Sequence, residues 1–189
     1  MSIKSIIIIL GITFSIQLTE ANSFRWYIYG YQRTSTSKNI LQKDTSRSTK
    51  INYGKYNFTF TGIEGRKYAL SQFGGKIVLV NIWAPWCEPC KKETEGFVRL
   101  YNRYHSKGFE ILGIAVQTTL TDVQSFINDR NVTYPIGIKD DINKLYKTIG
   151  IPSSYLFGPD GKLIKEFVGY TDEKRLQLIL DETLKKFRK

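Results

Sequence analysis

From Ile77 to Trp83 the chain reads Ile-Val-Leu-Val-Asn-Ile-Trp, apolar everywhere except Asn81. A run without alternation fits a strand covered on both faces. Residues 109–116 repeat the pattern. Between the two runs, Phe97, Leu100, Tyr101 and Tyr104 recur at the spacing of one helix face. Strand, helix and strand in that order predict a right-handed parallel crossover. Upstream, residues 56–60 and 66–70 alternate apolar and polar around Glu64-Gly65, which predicts a hairpin. Downstream, Thr121-Asp-Val-Gln124 reads as a capping box for a helix bearing Val123, Phe126 and Ile127. Residues 134–138 read as a short strand, and 141–148 as a helix that Gly150 ends. Residues 155–157 and 163–168 flank Pro159-Asp160-Gly161, a second hairpin. A last helix starts at Asp172 and turns Leu176, Ile179, Leu180, Leu184 and Phe187 inward. The chain holds no internal repeat, and its pattern is that of an α/β domain.

The N-terminus departs from this pattern. Residues 6–16 form an apolar run behind Lys4, the layout of a signal-peptide core. The run is shorter than the roughly 20 apolar residues of a spanning helix. Thr19-Glu20-Ala21 offers small residues where a signal peptidase reads. Residues 1–21 are therefore expected to be a signal peptide or an N-terminal membrane anchor. Phe24, Trp26, Tyr27, Tyr29 and Tyr31, with Arg25, suit a membrane interface and keep the anchor open. Export is expected on either branch. It fits a chain with only two cysteines, which has no stray thiol to mispair in an oxidising compartment.

Charge changes the picture for residues 22–52. They carry six Lys/Arg against Asp44 alone, nearly half of the chain's net +11, in a Ser/Thr-rich stretch without periodicity. The stretch reads as a basic flexible linker, leaving residues 53–189 as the domain. Its basicity favours contact with an anionic membrane surface. No nucleic-acid partner is expected, because the rest of the chain mixes signs and carries no recognition motif.

The candidate chemistry lies where the first apolar strand ends. Trp83-Ala-Pro-Trp-Cys-Glu-Pro-Cys-Lys-Lys-Glu93 holds both cysteines, Cys87 and Cys90. A strand that ends in C-x-x-C and opens a helix is the setting of a thiol–disulfide redox pair. The free N–H groups and positive dipole end of the helix favour a thiolate on Cys87, the nucleophile. Cys90, one turn on, resolves the mixed disulfide. A structural zinc site needs about four ligands, and the chain offers two cysteines and His105. Covalent haem attachment needs histidine where Lys91 stands. A static disulfide remains open, although so small a loop stabilises little.

These residues resemble the thioredoxin superfamily, and within it the TlpA/ResA-like branch of extracytoplasmic thiol–disulfide oxidoreductases. The resemblance runs from about Tyr56 to Phe187. It rests on residues 58–70, on residues 80–93, on Gly150-Ile-Pro-Ser-Ser-Tyr-Leu-Phe157 and on Gly158-Pro-Asp-Gly-Lys162. It implies a thioredoxin-like three-layer fold with a central mixed sheet, an N-terminal β-hairpin and a central helix–strand insertion. It implies a cis-proline at Pro152, with the backbone of Ile151 pairing an extended substrate segment. It gives Glu93 a place beside the cysteines, where it adjusts their proton affinity. Trp86, Glu88 and Pro89 join the substrate surface. Glu88 disfavours the thiolate and so implies a more reducing pair. Gly96 is expected to supply flexibility where relatives carry a proline at the position of Glu95, and Asn81 replaces the buried aspartate of the wider superfamily.

By the same resemblance the substrate is a protein disulfide, with apocytochrome c favoured, and electrons arrive from a membrane thiol donor. No cofactor or metal is expected beyond the Cys87–Cys90 disulfide. A monomer is expected, in the periplasm or at the outer face of the cytoplasmic membrane. Two other activities share the fold. A thiol peroxidase usually carries Thr-x-x-Cys, and Ala84 stands in the threonine's place. A copper chaperone would use soft thiolates, but such proteins typically space their cysteines by three and add a distal histidine, whereas this chain has C-x-x-C and only His105.

Overall fold

The computed structural model describes residues 51–187. The expected signal or anchor segment, and the linker as far as residue 50, lie outside the described residues. Seven strands and four α-helices are described, in the order β1 (Thr59–Thr61), β2 (Lys67–Ala69), β3 (Ile77–Trp83), α1 (Glu88–Tyr104), β4 (Phe109–Ala115), α2 (Leu120–Asp129), β5 (Ile136–Ile138), α3 (Ile142–Tyr146), β6 (Ser153–Phe157), β7 (Leu163–Val168) and α4 (Glu173–Phe187). The main sheet runs β5-β4-β3-β6-β7. β3, β4 and β5 are parallel, while β6 and β7 run antiparallel to their neighbours. This is the thioredoxin-like α/β architecture, with α2 and β5 as the helix–strand insertion.

β3 lies at the centre, buried along its whole length. Its alternation sorts two cores. Ile77, Leu79 and Trp83 face α1, α2 and α4 and pack with Phe97, Leu100, Val123, Phe126, Leu176 and Leu180. Val78, Val80 and Ile82 face the other way, toward Phe60 of the hairpin and Ile142 and Tyr146 of α3. Burying each such side chain contributes about 1.5–3 kcal/mol. The second core is rich in rings: Phe60 stacks on Tyr68 at 5.1 Å, and Tyr146 meets Tyr155 edge-on at 4.7 Å. The hairpin pairs Phe60 with Tyr68 and reaches the sheet through a bridge between Gly62 and Gly137. Among the described residues no helix is long and apolar enough to cross a membrane.

Four local expectations are corrected. The cap of α2 is Thr119, not Thr121: its extended backbone lets Oγ1 accept from the Asp122 N–H at 3.2 Å. The strand expected over residues 134–138 shortens to β5, because Tyr134 turns into the first core against Tyr101. α3 ends at Tyr146, where Lys147 takes the left-handed conformation (φ 53°) and its N–H reaches Asn143 O, so Gly150 has no part in it. Phe187 is 40% exposed, because the last turn of α4 lies at the rim beside Gly158, and Thr183 is buried in its stead.

Candidate active site

The site forms where β3 leaves the sheet. The Cys87 N–H donates to Ala84 O at 3.1 Å, which closes a tight turn over Pro85 and Trp86. Cys87 is extended (φ −81°, ψ 111°) and caps α1, its Sγ accepting from the Cys90 N–H at 3.4 Å. Pro89, in the first turn, has no N–H to leave unpaired. Cys87 and Cys90 form a disulfide, with Cα atoms 5.2 Å apart. Cys87 stands 6% exposed and Cys90 is fully buried. Helix N–H groups thus face the more accessible sulfur. Glu88 is exposed and pairs with Lys91 at 3.1 Å, so its charge bears on Cys87 less than the sequence implies.

One turn beyond Cys90, Glu93 is only 2% exposed, which excludes a solvated helix glutamate. Two donors hold it. Asn81 Nδ2 donates to Oε1 at 2.8 Å, and the Thr171 N–H donates to Oε2 at 3.0 Å. Asn81 also donates to Ser154 Oγ at 3.0 Å, tying the carboxyl to β3 and β6. Burial pushes the Glu93 pKa up from 4.5 to about 7, and the Thr171 and Asn81 hydrogen bonds restrain the rise. The Tyr134 phenol is raised too, first by burial and then by the charge of Glu93. Asn81 is therefore the anchor of a buried acid as well as the replacement of one.

Pro152 follows a cis Ile151-Pro152 peptide, and its carbonyl accepts from the Gly169 N–H at 2.8 Å. Ile82 pairs with Ser153, so Pro152 stands at the level where β3 runs into the cysteine turn. Ile151 is half-buried against both cores. Trp86 is 57% exposed, its Nε1 donating to Gln117 O at 3.0 Å. Trp83 is core, its ring 4.5 Å from Phe126.

Gly96 has a packing role: a Cβ there would lie 3.0 Å from Glu173 Cβ, so its bareness lets α1 and α4 approach. α1 runs unbroken across Glu95. His105 is exposed, 3.7 Å from Glu110 across the α1 terminus. The sequence reading missed Ser154, Thr171, Gln117 and Asp140. Only Asn81, one polar residue in an apolar strand, carried a signal that could have led to the Glu93 network.

The AhpC/TSA family model matches residues 55–166. Over 142 residues the chain is 37% identical to the thiol-disulfide oxidoreductase ResA of Bacillus cereus, covering 73% of this chain and 82% of the relative. Among solved structures, StoA from Bacillus subtilis superposes with a TM-score of 0.58 at 25% identity, covering 67% of this chain and 98% of StoA. A thiol:disulfide interchange protein of the thioredoxin family from Chlorobium tepidum matches at 0.64 and 24% identity, over 68% of this chain and 93% of that one.

Proposed function

The chain belongs to the AhpC/TSA family and groups there with the ResA thiol–disulfide oxidoreductases, and from that membership we propose that it is an exported reductant of disulfides in partner proteins. That it is a thiol–disulfide oxidoreductase acting on protein disulfides is the part its relatives carry. The observation behind the finer reading is the arrangement at α1: Cys87 capping the helix, Cys90 buried behind it and Glu93 one turn on.

In the reduced enzyme the Cys87 thiolate attacks one sulfur of the partner's disulfide. A Cys87–partner bond forms, and the partner's other sulfur leaves as a thiolate and takes a proton. Cys90 then loses its proton and attacks Cys87 Sγ. The internal disulfide forms, and the second partner sulfur leaves as thiolate and is protonated. Two electrons and two protons pass to the partner. A buried carboxyl titrating near neutrality suits the proton of Cys90, and Glu93 takes that role in this reading. The partner segment runs over Trp86, Glu88 and Pro89 on one side and along Ile151 and Pro152 on the other.

The redox group is the Cys87–Cys90 pair, with no further cofactor or metal. The enzyme acts as a monomer in the periplasm or on the outer face of the cytoplasmic membrane, held there or exported by its N-terminus, and a membrane dithiol donor re-reduces it. Apocytochrome c is the favoured partner. Ala84 carries no hydroxyl toward Cys87, which weighs against the peroxidase reading.

A Cys90→Ser variant of the full chain, expressed in its native cell, tests the proposal. It should accumulate a disulfide from Cys87 to proteins bearing a Cys-x-x-Cys-His pair. Capture of none, beside rapid peroxide consumption by the wild type, would replace the proposal with the peroxidase.

A further inference from the structure

Gln117 is one of three non-glycine residues with positive φ among the described residues, at 51°. Outside glycine this conformation is unfavourable, and it persists where the surroundings fix it. Here both ends of the residue are fixed. Its N–H donates to Asp140 Oδ1 at 2.6 Å, a short bond to a carboxylate. Its carbonyl accepts from Trp86 Nε1 at 3.0 Å.

The three residues follow three neighbouring strands. The last ladder bonds there are Val116 N–H to Trp83 O at 2.9 Å and Lys139 N–H to Ala115 O at 3.0 Å. Just beyond, Asp140, Gln117 and Trp86 continue the linkage across β5, β4 and β3 with one side chain, one backbone and one indole. The sequence explains each part. Trp86 is the residue before Cys87, Asp140 opens the loop into α3, and Gln117 lies two residues before Thr119, the cap of α2. A groove of about 520 Å³ runs between Trp86 and α2, with Pro85 and Phe126 among its lining. The indole forms one wall of it while remaining 57% exposed.

We propose that Gln117 and Asp140 are positioning residues for Trp86. They pin the nitrogen edge of the indole to the domain, so that its face stands open beside Cys87 for an apolar side chain flanking the partner's disulfide. The inference rests on the proposed function for its partner and on the hydrogen bonds alone for its geometry. Asp140 and Gln117 touch no reacting atom and act through Trp86. The side chain of Gln117 is dispensable, since only its backbone takes part.

The test uses the full chain, reduced, with Asp140→Ala, Asp140→Asn, Gln117→Gly, Trp86→Phe and the Trp86→Phe/Asp140→Ala pair. The first readout is the Trp86 indole N–H resonance, assigned by its loss in Trp86→Phe. The second is the single-turnover reduction of two probes: a leucine-flanked peptide closed by a Cys-x-x-Cys-His disulfide, and the small disulfide 5,5′-dithiobis(2-nitrobenzoate).

Asp140→Ala should move the indole resonance and raise the half-saturating peptide concentration about fivefold, the effect of losing one hydrogen bond. The maximal peptide rate and the small-probe rate should hold. Asp140→Asn, which keeps an acceptor, and Gln117→Gly, which keeps the backbone, should retain the wild-type resonance and kinetics. The double variant should be no worse than Trp86→Phe alone. An unmoved resonance in Asp140→Ala, unchanged peptide saturation, or an equal fall on both probes together with the melting temperature would each overturn the proposal. A wild-type chain that reduces neither probe would sink the oxidoreductase reading instead, and the resonance would still decide whether the latch exists.

Discussion

Glu93 is an acid kept from water by the sheet, and its behaviour with pH follows from that position. Its pKa is about 7 in the folded chain against 4.5 for the free group. Between those values the folded state binds more protons than the unfolded. Stability from this residue is thus fully present below about 4.5 and is lost as pH rises through about 7. A shift of that size corresponds to about 3 kcal/mol. Glu93→Gln removes the slope. Urea unfolding of oxidised wild type and variant, compared at pH 5 and pH 8, should show the difference moving about 2.5 kcal/mol in favour of the variant, since part of the effect is already lost at pH 5. Parallel pH profiles would contradict the burial argument. In the reduced chain the same variant should form its thiolates at lower pH, because an anion no longer opposes them.

Among the elements, the N-terminal hairpin is held with the least backbone. β1 and β2 have three residues each, and the Gly62–Gly137 bridge with the Ile63 N–H to Ile136 O bond at 2.9 Å joins them to β5. Side chains supply the rest, with Phe60 buried over Gly137. A Cβ on Gly137 would lie against the Phe60 ring and 2.8 Å from Thr61 O, and the backbone oxygen has little room to give. Gly137→Ala should therefore cost about 1–3 kcal/mol, read as a lower urea midpoint with an unchanged slope. An unchanged midpoint would mean that the hairpin can shift freely on β5. The Arg99–Glu173 pair joins α1 to α4 at 2.7 Å, but it is solvent-exposed and contributes little beside the Gly96 contact below it.

At the scale of the whole molecule, the question is where the folded unit begins. Tyr53 is buried, Ile51 packs against the second core, and Asn52 Oδ1 accepts from the Gly54 N–H at 2.7 Å. Gly161 leaves room for this stretch of chain: a Cβ there would lie 3.1 Å from Asn52 O. A chain starting at Ser48 and one starting at Tyr53 should reduce a test disulfide equally fast, since neither loses a site residue. The shorter should melt about 3 °C lower, for the half-buried isoleucine it lacks. Equal melting temperatures would place the boundary at Tyr53.

The one-dimensional pattern determined most of the architecture. Apolar runs without alternation can be satisfied only between two layers, so β3 and β4 were legible as central strands, with α1 between them and the apolar part of its buried face, Phe97, Leu100, Tyr101 and Tyr104, named in advance. C-x-x-C at a strand-to-helix turn carries its chemistry in four consecutive residues, so Cys87 and Cys90 were legible too. What the sequence could not decide depends on chain ends and on distant partners. Thr119 and Thr121 are both able to cap α2, and the direction of the chain leaving Val116 chooses between them. Lys147 ends α3 in a conformation that no residue type announces. The Glu93 pocket joins residues 12 and 78 positions away, Asn81 and Thr171, and only the register of β3 with β6 and the return of the chain into α4 bring them together. The burial that shifts the acid is likewise a property of the packed layers, because desolvation depends on every atom that surrounds the carboxyl, and the linear chain does not specify which atoms those are.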